Sequence, residues 1–392
     1  MGQPFPTGRE EKRQALLAAV EGVRDILVAG ADEAEANATL PPATVQALDD
    51  AGLFAMKLPA VLGGAEADLV TQLEILEAVS YIDTSAGWCL LIGASAVAGL
   101  GAFLVDEVLA QVFGGRHVPR VAGTFMPGGQ AVPIDGGYRI SGRWAFASGI
   151  RHAQWVTAMA PMARTGATAP ALRRVVMPVT AVQIHDNWQV MGLQGTGSCD
   201  FSVADLFVPE HFSWDVQQAR PQRGGPLYRL GMPAFVTNEH VAFALGVGRR
   251  ALDTLLNLAQ SKQRGYGQRA TLATRPAVHR FLGESDLRLR AVRTLAIESY
   301  EHAWATVCAG HTLPPRVQAE LRSVGTFATD VAVEVTTQAF RYSGGTALYS
   351  TNVLQRCLRD INAAAQHLMV SEAAYENYGQ CLLGLPDADP MR

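Results

Sequence analysis

Cysteine is scarce and scattered in this 392-residue chain. Cys89, Cys199, Cys308, Cys357 and Cys381 stand alone, without a Cys-x-x-Cys pair. The odd count and wide spacing exclude a zinc ribbon and a disulfide framework, so these residues read as buried, reduced thiols and no metal is expected. Charge is thin as well: 17% of residues are charged and the formal net charge is −4. With no basic field to hold a phosphate backbone, nucleic acid is excluded as a partner. Long apolar runs are missing. The longest, Trp88 to Val105, is rich in Gly, Ala and Ser, whereas a membrane span needs about 20 strongly apolar residues. It reads as a buried helix, and no membrane association is expected. The opening residues, MGQPFPTGREEKRQ, are polar and carry no signal-peptide core, so the cytoplasm is the expected compartment. No internal repeat is visible.

What is present is apolar material in ordered patterns. Hydrophobic residues make up 48% of the chain, enough for a large core spread over two or three structural units. Leu16, Val20, Val23 and Leu27 recur at helical spacing, as do Val45, Leu48 and Leu53, and then Leu69, Leu73, Leu76 and Val79. Pro41-Pro42 suits a helix start and Gly52 a helix end. Asp83 is placed to cap the helix that carries Trp88. From Val121 to Val208 the texture changes to short strand-like runs, YRISGRWAF, WVTAMAPMA, RRVVMPV and FSVADLFV, separated by Gly, Pro and Asp turns. After a Pro/Gly/Arg-rich connection, helical periodicity returns in stretches 235–264, 276–308, 315–343 and 353–383. The expected organisation is an α+β chain. A helical domain spans 1–117, a β-sandwich or barrel 118–215, and a four-helix bundle 225–392.

Five local motifs occur in one order. GGYRISGRWAFASGIRHAQWV (136–156), VMGLQGTGSCDFSVADLFVP (190–209), AGTFMPGG (122–129), QRGYG (263–267) and RYSGGTALY (341–349) together resemble the acyl-CoA dehydrogenases and their relatives over roughly residues 40–380. The resemblance implies a flavin site. Phe146 takes the place of the aromatic residue at the flavin ring and Ser148 that of the hydroxyl at its N5. Phe125 lies in a flavin-contacting loop. Arg264 falls where the family has an Arg on the cofactor's phosphates, and Gly344 and Gly345 where a neighbouring subunit contributes a turn. The physics agrees. An aromatic face packs well on a planar, polarisable ring. A hydroxyl serves N5 in either redox state because it both donates and accepts.

The dehydrogenase branch needs a carboxylate that removes a proton next to a thioester. Counted from Arg359-Asp360, its register leads to Leu368, and the nearest carboxylate is Glu372. LQRCLRDINAAAQH and DTSAGWCLLIGAS (83–95) resemble instead the oxygenase components of two-component systems. That branch implies reduced FMN or FAD supplied by a separate reductase, O2, a flavin C4a-hydroperoxide, and a homotetramer. His367 matches its helix-borne histidine, there to orient or deprotonate the substrate or to protonate the departing oxygen. Trp88, Leu91, Ser95, Phe125, Phe235 and Met369 are expected to line an apolar pocket. The second histidine that several such oxygenases carry after Gly-Trp is missing from CLLIGASAVAG, which favours an aromatic or heteroaromatic substrate that needs little help from a base, such as an indole. His152 and His240 have no motif to support them. The alternatives are an acyl-CoA dehydrogenase or flavin oxidase using FAD and Glu372, and a flavin-free scaffold.

Overall fold

A computed structural model describes residues 5–115, 117–162, 171–264, 270–386 and 388–391. The element order is helices, then sheets, then helices, as expected from the sequence. Helices α1 (Arg9–Asn37), α2 (Pro42–Asp50), α3 (Leu69–Ile82), α4 (Thr84–Phe103) and α5 (Asp106–Phe113) come first. Strands β1 (Val121–Pro127), β2 (Gln130–Ile134), β3 (Gly137–Trp144), β4 (Trp155–Met162), β5 (Ala171–Pro178), β6 (Gln183–Ile184), β7 (Phe201–Pro209) and β8 (Ser213–Asp215) follow. Helix α6 (Ala234–Ser261) leads through the short pair β9 (Gln263–Arg264) and β10 (Ala270–Thr271) to α7 (Pro276–Cys308), α8 (Pro315–Ser343), α9 (Val353–Ala364) and α10 (Ala373–Leu382).

The chain gathers into two compact units. The first comprises Met1–Ala67, Trp88–Val190 and Gln194–Tyr228; the second comprises Asp68–Gly87, Met191–Leu193 and Arg229–Arg392.

In the first unit, two four-stranded sheets run β1-β4-β5-β8 and β2-β3-β7-β6. Alternation along the strands, with a register shift in the β3–β7 pair, sends Val156, Ala158, Ala160, Ile140, Val203 and Val208 into one core, joined by Val97 and Leu100 of α4, by Leu104 just after it and by Val108 and Val112 of α5. Helix α1 buries Leu16, Val20, Val23 and Leu27 along one stripe, as its spacing predicts. Pro42 starts α2, and Gly52 follows it at φ 70°, the left-handed turn that glycine tolerates. Helix α4 is long and apolar enough to cross a membrane, but 78% of that stretch is buried inside the fold. Its hydrophobicity is therefore that of a core helix.

The second unit is helical, with α6 packed on α3 and α8. The approach is close where side chains are small. A Cβ on Gly246 would lie 2.5 Å from the Glu77 carbonyl, and one on Gly248 would press on Ala332. Asp68 caps α3 by accepting from the Val70 and Thr71 N–H groups, and Asp83 accepts from Ala86 N–H at the start of α4. One departure from the periodicity matters. The stretch expected to be a single helix over 353–383 is broken, α9 ending at Ala364 and α10 starting at Ala373. No glycine or proline marks the break. Tertiary partners hold it instead. Arg322 of α8 donates to the carbonyls of Leu368 (2.9 Å) and Pro390 (3.0 Å), and Ser323 Oγ donates to the carbonyl of Ala374 (2.9 Å). Backbone groups released from the helix are thereby satisfied.

Candidate active site

Ser148 lies in the first unit, in the turn after β3 rather than on the strand itself. The turn is pinned on both sides. Ala147 N–H donates to the Cys199 carbonyl at 3.2 Å and Gly149 N–H to the Thr196 carbonyl at 2.9 Å. The Ser148 hydroxyl, 5% exposed, accepts from the Trp88 indole N–H at 3.1 Å and sits 2.7 Å from Ser198 Oγ. Ser198 Oγ in turn lies 2.6 Å from Thr196 Oγ1. Indole N–H can only donate, so it occupies one Ser148 lone pair. The three hydroxyls beyond it form a chain whose direction can reverse. If Thr196 donates to Ser198 and Ser198 to Ser148, the Ser148 proton is free to be given away; if the chain runs the other way, Ser148 has a lone pair to offer. Sequence reasoning found Ser148 and missed Thr196 and Ser198, though both stand in the quoted GTGS stretch.

Phe146, two residues earlier, has φ 65°, unusual for a side chain with a Cβ, and its ring is 69% exposed with its edge toward Trp188 (centroids 6.2 Å apart). Such a conformation costs on the order of 1 kcal/mol and holds a bare aromatic face outward. Phe125, at the end of β1, is also partly exposed and carries the Arg174 guanidinium 5.0 Å over its ring. An exposed ring beside a hydroxyl of reversible polarity fits a planar flavin.

On α4, Trp88, Leu91 and Ser95 recur at helical spacing, and all three are buried. Their fates differ. Trp88 is committed to Ser148, Leu91 is in the core, and Ser95 Oγ accepts from the buried Lys57 ammonium at 2.8 Å. A cavity of about 290 Å³ in the same unit is lined by Thr39, Leu40, Pro42, Val45, Gln46, Arg120, Arg151 and His152, none of them an expected site residue.

In the second unit, His367 lies in the break between α9 and α10, not on a helix. Its Nδ1 accepts from Met369 N–H at 3.3 Å, and its ring sits 4.5 Å from that of His240 on α6, tilted 33°. Burial drives its pKa down to about 4. At neutral pH the ring is therefore uncharged, and with Nδ1 accepting, its proton is on Nε2. His240, which had no motif to support it, is a neighbour of His367. The available signal was a run of polar residues, Thr237 to His240, inside an otherwise apolar helix; all four are buried. Met369 is buried beside His367 in sequence, and Phe235 is half-buried near the start of α6.

Arg359 and Asp360 have a structural task. Asp360, 1% exposed, accepts from Leu193 N–H at 2.6 Å and from the Thr84 hydroxyl, while Arg359 donates to the Met191 carbonyl at 2.9 Å. Gly192 between them has no room for a Cβ, which would fall 2.1 Å from the Arg359 carbonyl oxygen. Leu368 occupies the register of a dehydrogenase base, and Glu372 is exposed at the start of α10. Gly344 turns the chain at φ 57° after α8, and a Cβ on Gly345 would meet open space. Arg264 is on β9; its side chain, and residues 265–267 of the QRGYG motif, lie outside the described residues.

Comparison with known proteins places these features. Residues 9–107 match the family described as "Acyl-CoA dehydrogenase, N-terminal domain", and residues 239–372 match "Acyl-CoA dehydrogenase, C-terminal domain". The indole-3-acetate monooxygenase of Pseudomonas putida is 32% identical over 94% of this chain and 93% of its own length. The flavin-dependent monooxygenase oxygenase subunit HsaA of Mycobacterium tuberculosis is 27% identical over 98% of this chain and 99% of its own. Among solved structures, XiaF from Streptomyces sp. in complex with FADH2 and glycerol superposes with a TM-score of 0.89 at 25% identity, covering 98% of both chains. This chain therefore belongs to the acyl-CoA dehydrogenase superfamily, in its branch of monooxygenases that work with reduced flavin.

Proposed function

We propose that this monooxygenase oxygenates a small, electron-rich aromatic or heteroaromatic substrate of indole type. The observation that carries the reading is the state of His367. It is neutral at physiological pH, its Nδ1 is engaged by Met369 N–H, and it therefore presents an Nε2–H donor. A donor imidazole can orient an acceptor oxygen through a hydrogen bond, but as a neutral ring it holds no extra proton to give up. It is poorly set to strip a proton from a phenol. An indole carbon is nucleophilic without such help. The indole-3-acetate monooxygenase among its relatives supports the same substrate class.

Reduced FMN or FAD, when bound, supplies the electrons and the carbon at which O2 is activated. The residues of this chain do the rest. Phe146 and Phe125 offer faces for the ring. Ser148, its direction set through Ser198 and Thr196, would offer the flavin N5 a hydrogen bond of either polarity. Leu91 and Met369 keep water out. Trp88 orients Ser148, and Ser95 and Phe235 are further candidates for contact with the substrate. Arg264 serves the cofactor's phosphates, and Gly344-Gly345 serves a neighbouring subunit's flavin. A separate flavin reductase feeds the enzyme, as the designation "oxygenase subunit" of its relative suggests. A homotetramer built through the helical region is supported by exposed Leu287, Leu295 and Phe327 on α7 and α8, and by Leu348 and Tyr349 after the glycine turn.

The test is turnover with chemically reduced FMN or FAD, in air, across phenols, indoles, thiophenes and amines. Indole-type substrates are expected to give the most product per reduced flavin. Preference for a simple phenol would overturn the reading.

A further inference from the structure

Arg174 differs from several arginines of its unit in having no carboxylate partner, a state it shares with Arg173, which donates to Ser213 Oγ and lies over the Tyr138 ring. Arg120 pairs with Asp49, Arg143 with Asp200, Arg151 with Asp186 and Arg223 with Asp106. Arg174 has only neutral partners. Its Nη1 donates to the Thr124 carbonyl at 2.6 Å and reaches Thr157 Oγ1 at 3.5 Å, and its guanidinium lies over the Phe125 ring. No carboxylate pairs with it among the described residues, and burial alone acts on it, pulling its pKa down to about 10. Register explains the placement. Arg174 on β5, Thr157 on β4 and Gly123 on β1 share one face of their sheet, so the side chain reaches across β4 to the end of β1. Thr124, whose carbonyl it meets, has a buried hydroxyl without a hydrogen-bond partner, but strand alternation turns that hydroxyl to the other face of the sheet.

A cation drawn out of water without a counter-charge is costly, and an anionic ligand relieves that cost. The occupant is constrained by what surrounds the guanidinium. A phosphate asks for several converging donors, and here a single cation stands beside an exposed phenyl ring. A flat, delocalised cation beside an aromatic face suits a flat, delocalised anion. Reduced isoalloxazine is one: it loses the N1 proton to solvent and spreads the negative charge over N1 and the C2 carbonyl, whereas the oxidised ring is neutral. Resting on the reading that Phe125 meets the flavin, we infer that Arg174 is the counter-charge that selects anionic reduced flavin over oxidised flavin.

The experiment is anaerobic titration of the full-length protein with riboflavin and FMN, each oxidised and reduced, for wild type, Arg174→Met and Arg174→Lys. Loss of a charge-assisted contact is expected to weaken both reduced ligands about tenfold or more in Arg174→Met, leave both oxidised ligands unchanged, and be largely restored in Arg174→Lys. Equal weakening of oxidised and reduced FMN, with riboflavin unaffected, would assign Arg174 to a phosphate and overturn the inference. So would uniform weakening of all four ligands with a lowered Tm, or no change at all. Wild-type protein that bound no flavin in either state would overturn the flavin reading itself, a result distinct from these.

Discussion

The indole N–H of Trp88 donates to Ser148 Oγ across 3.1 Å, joining the α4 helix to the turn after β3. The bond leaves Ser148 one proton and one lone pair to divide between Ser198 and a ligand. Trp88→Phe removes a donor worth about 1 kcal/mol while keeping most of the volume. Flavin binding is expected to persist, while product per reduced flavin falls several-fold and hydrogen peroxide rises to match. Ser198→Ala is expected to do the same by cutting the hydroxyl chain. Peroxide and product measured together in single-turnover mixing check both. Unchanged coupling in both variants would remove the chain from the mechanism.

Asp360 holds two donors at once, Leu193 N–H and the Thr84 hydroxyl, from a site that is 1% exposed. Asp360→Asn keeps the shape but turns an amide donor toward one of them. A cost of about 2–4 kcal/mol is expected, since a buried donor loses its acceptor. Urea unfolding of the variant measures it, and a cost below 1 kcal/mol would show the site to be far more forgiving than its burial implies.

Arg322 ties the break between α9 and α10, through the Leu368 carbonyl, to the C-terminal segment, through the Pro390 carbonyl. Arg322→Met would leave those oxygens without a donor, at about 1–3 kcal/mol each. Faster hydrogen exchange over 365–372 is expected, together with loss of activity, because His367 sits in that segment. Lys in place of Arg should not rescue, since one ammonium cannot span both carbonyls with the same fork.

His367 and His152 are both held neutral by burial, with pKa values near 4. For a folded pKa below the unfolded value, stability is fully present above about pH 6.5 and is lost as pH falls toward 4. Each imidazole contributes at most about 3 kcal/mol to that loss. Denaturant midpoints from pH 7.5 to 4.5 should fall more steeply for wild type than for His367→Gln. Over pH 6–8 the turnover profile should show no limb assignable to His367; an ionisation there that His367→Gln abolishes would contradict a neutral imidazole.

Much of this molecule was legible in its sequence because local rules dominate there. The stripe of Leu16, Val20, Val23 and Leu27 is buried on α1 as its period requires. Asp83 caps α4, as read, through an atom that reaches only its own next turn. Ser148 and His367 could be singled out because each stands in a motif. Other features depended on residues distant in the chain. The break that lifts His367 off a helix is made by Arg322 and Ser323 on α8, and no breaker residue announces it. His240 lies beside His367 only because α6 packs against the C-terminal segment. Arg174 reads as one more strand residue until β4 and β1 set Thr157, Thr124 and Phe125 around it. The sequence by itself determined, apart from the break after Ala364, the order of helices and strands and the apolar stripe of α1 and α3, since periodicity and capping act within a few residues. Only the tertiary structure decided which polar groups are buried together, and therefore which imidazole is neutral and which arginine lacks a counter-charge, because desolvation and pairing are set by neighbours that chain order does not reveal.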